Sequence, residues 1–232
     1  MKIAILAAFI LSASSGVAFA ADAITTTEPA PAPIAVASTY NWSGAYTGGQ
    51  VGYGWGNDKW SFQGLNYTVP AKPDGFLGGI YGGYNWQAGN GFVFGADADF
   101  TFSDMKKSGI DGDDAGTPDP TYGYGSKIDW TAAIRGRVGY GVDRFLPYVA
   151  GGVAFAHQKV SASLSSPFSE SATRTGWTIG LGVDYAATDN LIVRAEYRYS
   201  DFGKKTFSPL GWTPFDDRLS VNDFRVGIAY KF

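Results

Sequence analysis

Alternation of large apolar residues with small or charged ones is the dominant pattern along this chain, and it is clearest at the C-terminal end. Over 224–232 every second residue is large and apolar, whereas the residues between are small or charged. A period of two predicts a β-strand, because successive side chains of a strand point to opposite faces. Seven earlier segments complete a set of eight predicted strands, at 42–55, 76–86, 92–102, 128–140, 146–158, 177–185 and 191–200.

Each predicted strand has one apolar face and one small or polar face. In the strand at 92–102 the phenylalanines share one face, and Asp97 and Asp99 lie on the other. In the strand at 128–140 the pattern predicts Ile128 on the apolar face and Asp129 on the polar face. Small residues are so frequent at 76–86 and 146–158 that the pattern there only favours an outward face for Ile80, Tyr84, Trp86, Val149, Val153 and Phe155.

The connections between the predicted strands alternate in length. Three short connections contain the Gly, Asn or Asp residues that favour tight hairpin turns, at 87–91, 141–145 and 186–190. The other connections are long and polar, and they cover 56–75, 103–127, 159–174 and 201–220. Short turns at one rim and long loops at the other are typical of a transmembrane β-barrel. A soluble lipocalin-like barrel also has eight strands, but its apolar face points inward, and alternation alone does not distinguish the two.

Charged residues on the polar faces favour the membrane orientation. Eleven of them lie within the predicted strands, five acids and six bases: Asp97, Asp99, Asp129, Asp184, Glu196, Arg135, Arg137, Arg194, Arg198, Arg225 and Lys231. A nearly balanced set suits a confined lumen in which every charge needs a partner. The opposite faces then form an apolar belt with Trp and Tyr near the strand ends, as at a membrane interface. The sequence therefore predicts an all-β, eight-stranded antiparallel transmembrane β-barrel with short periplasmic turns, four long extracellular loops and these charges in its lumen.

Two segments precede the predicted barrel domain, which covers 41–232. Residues 1–20 combine a positive start, the apolar run at 3–11 and small residues before Ala20, which predicts a secretory signal peptide cleaved after that residue. Residues 21–40 contain prolines at positions 29, 31 and 33, which predicts an extended linker. Without the signal peptide the chain loses Lys2, so its formal net charge changes from −3 to −4. This mildly acidic balance gives no reason to expect a nucleic acid partner.

Composition supports an exported β-protein. The chain has 32 Gly, 16 Phe, 14 Tyr and 7 Trp but no Cys, so stability must come from the fold without disulfides. No segment after residue 20 has the unbroken apolar length of a spanning helix, so membrane insertion would require a closed barrel.

Six stretches carry a family resemblance: NWSGAY (41–46), GGIYGGYNW (78–86), RGRVGY (135–140), GWTIGLG (176–182), EYRY (196–199) and RVGIAYKF (225–232). The chain resembles the porin-like outer-membrane β-barrel family of alphaproteobacterial surface proteins, which is related in architecture to the OmpA-type transmembrane domain. The resemblance implies location in the cell outer membrane, contact with outer-membrane lipid and lipopolysaccharide, and insertion by the barrel-assembly machinery. It also implies that Phe232 is an assembly signal. The resemblance does not decide whether the protein forms a homo-oligomer.

Function follows less directly, because these motifs specify a barrel and not an activity. Side chains just fill the interior of an eight-stranded barrel, so we expect a structural and surface-display role. A narrow or gated pore for small solutes is the first alternative, and haem or ligand binding by loop residues is the second, with Tyr122, Tyr124, His157 and Trp212 as candidates. An enzyme is not expected, because His157 is the only histidine and no nucleophile and acid accompany it. No cofactor or metal site is predicted.

Overall fold

The computed structural model describes residues 40–62, 68–112, 118–163, 168–207 and 215–232. The predicted signal peptide at 1–20 and the predicted linker, apart from Tyr40, lie outside these ranges. Within them, no helix is long and apolar enough to cross a membrane.

In the described part of the chain, nine strands form one antiparallel sheet. They are β1 (Gly44–Phe62), β2 (Thr68–Ala71), β3 (Asp74–Gln87), β4 (Phe92–Gly112), β5 (Pro118–Tyr140), β6 (Phe145–Ser163), β7 (Phe168–Ala186), β8 (Leu191–Phe207) and β9 (Phe215–Lys231). Strand β1 also pairs with β9, so the sheet closes into a barrel. Both β2 and β3 pair with β1 and are separated only by residues 72–73, so they occupy one strand position of the barrel wall. We call each such strand position a stave. The barrel therefore has eight staves, which confirms the predicted fold class.

The barrel wall separates an apolar outer face from a polar inner face. Phe76, Phe102, Ile134 and Leu181 are each at least 60% exposed on the outside, as expected for side chains that contact lipid. The orientation favoured for the glycine-rich segments is also confirmed, because Ile80 and the other favoured side chains of β3 and β6 are exposed, with Phe155 partly so. Arginine and carboxylate side chains of the inner face are buried.

The strands are longer than the alternation predicted. Seven of them span 17–23 residues, whereas a membrane stave needs about 9–11. The stretches predicted as long loops are therefore largely strand, and β-hairpins project beyond the apolar belt. The outward side chains of these projecting stretches are polar, although Met105, Val160 and Leu219 are buried inside, so the outward apolar pattern ends where the apolar belt ends while the hydrogen-bonded ladder continues. We call the edge of the barrel with these hairpins the hairpin rim, and the opposite edge, with connections at 88–91, 141–144 and 187–190, the short-turn rim.

The prediction for Ile128 and Asp129 is wrong. The pairing of β5 with β6 shifts register between Ile128 and Trp130, and that irregularity reverses the two faces. Ile128 is fully buried inside the barrel. Asp129 is partly exposed and pairs with the exposed side chains of Lys127 and Lys159, both at 3.0 Å. It lies on the outer surface and does not belong to the lumen charges.

Candidate functional site

A network of buried ion pairs fills the middle of the lumen. Arg135 on β5 is at its centre, because its guanidinium donates to two carboxylates at once. Its Nε lies 2.9 Å from Oδ1 of Asp97 on the adjacent strand β4, and its Nη1 lies 2.7 Å from Oε1 of Glu196 on β8. The second contact crosses the interior, since β5 and β8 are not neighbours in the sheet. Such charge-assisted pairs are the strong class of hydrogen bond.

Two further arginines extend the network toward β9. Arg198 donates from Nε to Glu196 at 2.9 Å and from Nη1 to Asp99 at 2.8 Å. Arg225 on β9 donates to the other oxygen of Asp99 at 3.1 Å and also to Asp223. Asp99 therefore joins two arginines from different strands. Asp223 was missed in the sequence because the predicted strand began at residue 224, although it lies two positions before Arg225 on the same face.

A third group connects the network to interior tyrosines. Asp184 on β7 accepts from Arg137 at 2.7 Å and from Arg194 at 2.8 Å. The guanidinium of Arg137 also lies 3.8 Å from the ring centroid of Tyr148, and that of Arg194 lies 4.5 Å from the ring of Tyr81. Cation–π contacts of this kind add to the ion pairs when the cation is desolvated.

Glycine makes room for the interior tyrosines. A Cβ atom on Gly182 would lie 2.5 Å from the ring of Tyr148, and one on Gly83 would lie 2.7 Å from the hydroxyl of Tyr46. These two glycines therefore leave space for interior tyrosine rings next to the barrel wall.

The described lumen network contains five arginines and five carboxylates. Its members are Arg135, Arg137, Arg194, Arg198, Arg225, Asp97, Asp99, Asp184, Glu196 and Asp223, all of which are 7% exposed or less. Of the eleven charges predicted for the lumen, nine are in this group. Asp129 lies outside the barrel, and Lys231 lies at the short-turn rim, where its Nζ donates to the carbonyl of Asn41 at 2.5 Å. Equal numbers of opposite charges leave the network with no formal net charge.

Two apolar clusters lie on either side of the charges. The cluster near the short-turn rim consists of Trp42, Tyr46, Tyr81, Val93, Leu146, Ala186, Ile192 and Ala229. The cluster toward the hairpin rim consists of Met105, Ile128, Ala133, Ala154, Ala156, Phe202, Leu219 and Val221. Between that cluster and the network is a cavity of about 10 Å³, lined in part by Thr131, Ser200 and Arg225, which has room for about one water molecule. The interior is thus packed in layers.

A second polar cluster lies inside the projecting part of the barrel, beyond the hairpin-side apolar layer. It contains Asp58, Ser126, Gln158, Arg174 and Asp217, all nearly inaccessible to solvent. Asp58 accepts from Ser126 at 2.8 Å and from Gln158 at 2.9 Å, and Arg174 pairs with Asp217. Burial raises the pKa of Asp217 to about 9, aided by a hydrogen bond with Asp58 and its charge and opposed by Arg174. A pKa of about 9 means that Asp217 retains its proton at neutral pH.

Of the candidate residues for ligand binding, His157 is the one whose side chain the structure describes. The ring of His157 stacks on Trp130 at 5.8 Å on the outer surface, and its Nδ1 lies 3.3 Å from the hydroxyl of Thr173. The side chains of Tyr122, Tyr124 and Trp212 lie outside the part of the chain that the structure describes. Among the described side chains, no group of three or more His, Cys, Asp or Glu residues has the arrangement of a metal site.

Phe232 lies at the short-turn rim on the outer face. Its ring contacts that of Tyr230 at 5.2 Å and its side chain is exposed, while its backbone N–H donates to the carbonyl of Ala45 at 3.0 Å. The terminal residue therefore completes the pairing of β9 with β1 and presents an aromatic ring outward.

Comparisons with known proteins agree with this architecture. The family model described as an outer membrane protein beta-barrel domain matches residues 7–232. The 25 kDa outer-membrane immunogenic protein of Brucella melitensis is 38% identical over 218 residues, which cover 94% of this chain and 92% of that protein. The 22 kDa outer membrane protein of Rhizobium leguminosarum bv. viciae is 35% identical and covers 83% of this chain and 79% of its own length.

A solved structure shows the same fold at much lower sequence identity. The outer membrane protease OmpT from Escherichia coli superposes with a TM-score of 0.51 at 9% identity, over 84% of this chain and 98% of its own. At that identity the likeness concerns the fold alone. The closed barrel, the family model and the relatives agree, and the chain belongs to the outer-membrane β-barrel protein family, with the bacterial outer membrane as its location.

Proposed function

We propose that the protein is a closed structural barrel that anchors β-hairpins at the cell surface and does not conduct solutes. The lumen network carries this proposal. Its ten side chains come from β4, β5, β7, β8 and β9, so they cross-link most of the wall through the space that a pore would need.

The apolar clusters on both sides of the network support the same function. An ion that entered the lumen would meet an apolar layer, then fully paired charges, then a second apolar layer. Each layer opposes passage, because moving a charge into an apolar region is costly and displacing a buried ion pair leaves unpaired charges. A structural role at the surface also agrees with relatives that are named as outer-membrane immunogenic proteins.

We also propose that the barrel has no catalytic role. His157 is the only histidine in the sequence, and it stacks on Trp130 at the outer wall. The buried carboxylates of the lumen accept from arginines and are shielded from any substrate.

Planar lipid bilayer recording tests the closed lumen. We expect no stable unitary conductance from the refolded wild-type protein. A hollowed control, in which Arg135 and Glu196 are both replaced by alanine, removes a central pair of opposite charges and should give detectable ion flux if it folds. Heat-dependent migration on gels verifies that both samples are folded and inserted. A reproducible wild-type conductance would overturn the proposal, whatever the control does.

A further inference from the structure

Three cations lie side by side on the outer wall beyond the apolar belt. Arg218 on β9 is the register partner of Lys59 on β1 and of Lys204 on β8. All three are exposed, with 68% of the Arg218 side chain and 64% of the Lys204 side chain accessible to solvent. Because neighbouring strands lie about 4.8 Å apart, this row of cations covers about 10 Å of the wall. We call these three residues the first cation row.

A second row of the same kind lies on β4, β5 and β6. Lys127 is the register partner of Lys106 on one side and of Lys159 on the other. These three residues are also exposed, and we call them the second cation row. Its central stave, β5, is diametrically opposite β9 in the eight-stave barrel, so the two rows face opposite directions in the membrane plane.

Most of the acids that contact the rows are less exposed than the cations. Asp216, Asp201 and Asp129 hold Lys204, Arg218 and the Lys127–Lys159 pair at 2.7–3.2 Å, yet only 14%, 10% and 20% of these acidic side chains are accessible. Partial burial raises the pKa of Asp129, but hydrogen bonds from the two lysines outweigh it and keep the pKa below its usual range. The exception is Asp104, which is as exposed as its partner Lys106. An approaching anion therefore meets ammonium and guanidinium groups before carboxylates.

Both rows lie beyond the apolar belt, on the side of the hairpin rim. Below the first row are the exposed rings of Trp55, Tyr197 and Phe224. Below the second row, Trp130 stacks between Phe100 and His157, with centroid distances of 5.5 and 5.8 Å. Aromatic side chains at the edge of a membrane belt lie at headgroup level. The rows are therefore placed where the headgroups of the outer leaflet lie.

Like charges directly opposite each other on adjacent strands are destabilising, and each row contains two such pairs. An anion with more than one charge, placed across a row, would remove this repulsion. A phosphate carried by a lipid fits better than a free anion, because each row lies on the same outer wall as the apolar belt that acyl chains cover, with short polar side chains such as Asn57 and Asn222 between the first row and the belt. We propose that the two cation rows bind the phosphate groups of lipopolysaccharide in the outer leaflet.

The proposal is tested by titrating the refolded protein in detergent micelles with purified lipopolysaccharide, and with the same material after enzymatic removal of its phosphates. One variant carries Lys59→Gln, Lys204→Gln and Arg218→Gln, and another carries Lys106→Gln, Lys127→Gln and Lys159→Gln. The control carries Arg144→Gln and Lys231→Gln, which remove cations at the short-turn rim. Because the two rows lie on opposite sides of the barrel, each row variant should lose one of two sites and bind roughly half as much phosphorylated lipid at saturation as the wild type, while the control should bind as the wild type does.

Further titrations identify the ligand and separate loss of charge from faulty folding. Dephosphorylated lipopolysaccharide should bind the wild type and both row variants equally weakly, and inorganic phosphate should not compete at concentrations similar to those of the lipid. Lysine-to-arginine versions of both rows should retain binding, which separates loss of charge from faulty folding. Row variants that bind the phosphorylated lipid as the wild type does would overturn the proposal, and so would wild-type binding that is unaffected by phosphate removal. Effective competition by free phosphate would overturn the lipid assignment. Bilayer conductance is measured separately, so this site and the closed lumen can fail independently.

Discussion

Replacing Asp217 by asparagine should stabilise the barrel at neutral and alkaline pH, although it removes a buried ion-pair partner of Arg174. In the folded protein Asp217 is fully buried, and its pKa is raised to about 9 by burial and by its hydrogen bond with Asp58. Each of these two carboxylates has one buried oxygen with no hydrogen-bond donor, and a proton retained on Asp217 supplies a donor within this cluster. Asparagine offers an N–H donor in place of that proton and cannot ionise.

The direction of the pH dependence follows from proton linkage. The ordinary pKa of the Asp217 carboxyl is 3.8, so between that value and about 9 the folded protein holds one proton that the unfolded chain has lost. The stabilising contribution is fully present below the unfolded pKa and is lost as pH rises through the folded pKa. The free energy of unfolding therefore falls by at most about 1.4 kcal/mol for each pH unit. Between the unfolded and the folded pKa of Asp217 it falls in total by on the order of several kcal/mol.

The assay is urea unfolding in detergent micelles, followed by tryptophan fluorescence between pH 5 and pH 9.5. The wild-type midpoint should decrease with pH, whereas that of Asp217→Asn should change less and exceed the wild type at the alkaline end. Asp216→Asn is the matched control, because Asp216 precedes Asp217 on β9, faces outward and pairs with Lys204. The urea midpoint of Asp216→Asn should therefore change with pH as the wild-type midpoint does. Parallel profiles for wild type and Asp217→Asn would show that Asp217 does not retain a proton in the folded barrel at neutral pH.

Three further predictions follow from the barrel wall and its lumen. Ala96→Arg, on the lipid face of β4, should lower the free energy of unfolding in lipid vesicles by about 2–4 kcal/mol. Ala187→Arg, in a short turn, should have little effect. Equal effects of the two substitutions would refute the placement of Ala96 within the membrane. Glu196→Gln should cost about 3 kcal/mol by urea titration, because it leaves Arg135 and Arg198 short of a buried carboxylate, while Asp189→Asn at the surface should be nearly silent. Phe232→Ala should reduce the amount of barrel in cell outer membranes but leave refolding into micelles unchanged, and a parallel loss of both would make Phe232 an ordinary packing residue.

The membrane-spanning part of the barrel could be predicted from the sequence because lipid imposes a strict pattern there. In the segment 92–102, every second residue is Phe or Ala, and the residues between them are mostly small or acidic. The structure places these Phe and Ala side chains on the outside, as expected. Strand number and closure followed from the same pattern, since a β-sheet in lipid must leave no open edge. Even the glycine-rich β3 and β6 have the orientation that their few large residues favoured.

The remaining features depend on pairings that no local pattern shows. The face of Asp129 is decided by a register shift between β5 and β6, which changes which side chains point outward without changing their sequence spacing. Asp58 and Asp217 are far apart in the chain and meet because β1 pairs with β9 to close the barrel. The cation rows likewise join residues on three strands each. To predict such contacts one needs the register of every strand pair, and the alternation within a single strand does not give that register.

Register also explains why so many charges are buried in a protein that could have filled its lumen with apolar residues. Buried ion pairs add little net stability, since desolvation offsets most of their attraction. A slip of one residue between strands, however, would turn every inward side chain of the shifted strand outward. For β8 that slip would expose Arg194, Glu196 and Arg198 to acyl chains, at a cost of about 2–4 kcal/mol for each arginine near the midplane. We infer that the lumen network acts mainly by excluding wrong registers, which a uniformly apolar interior would tolerate.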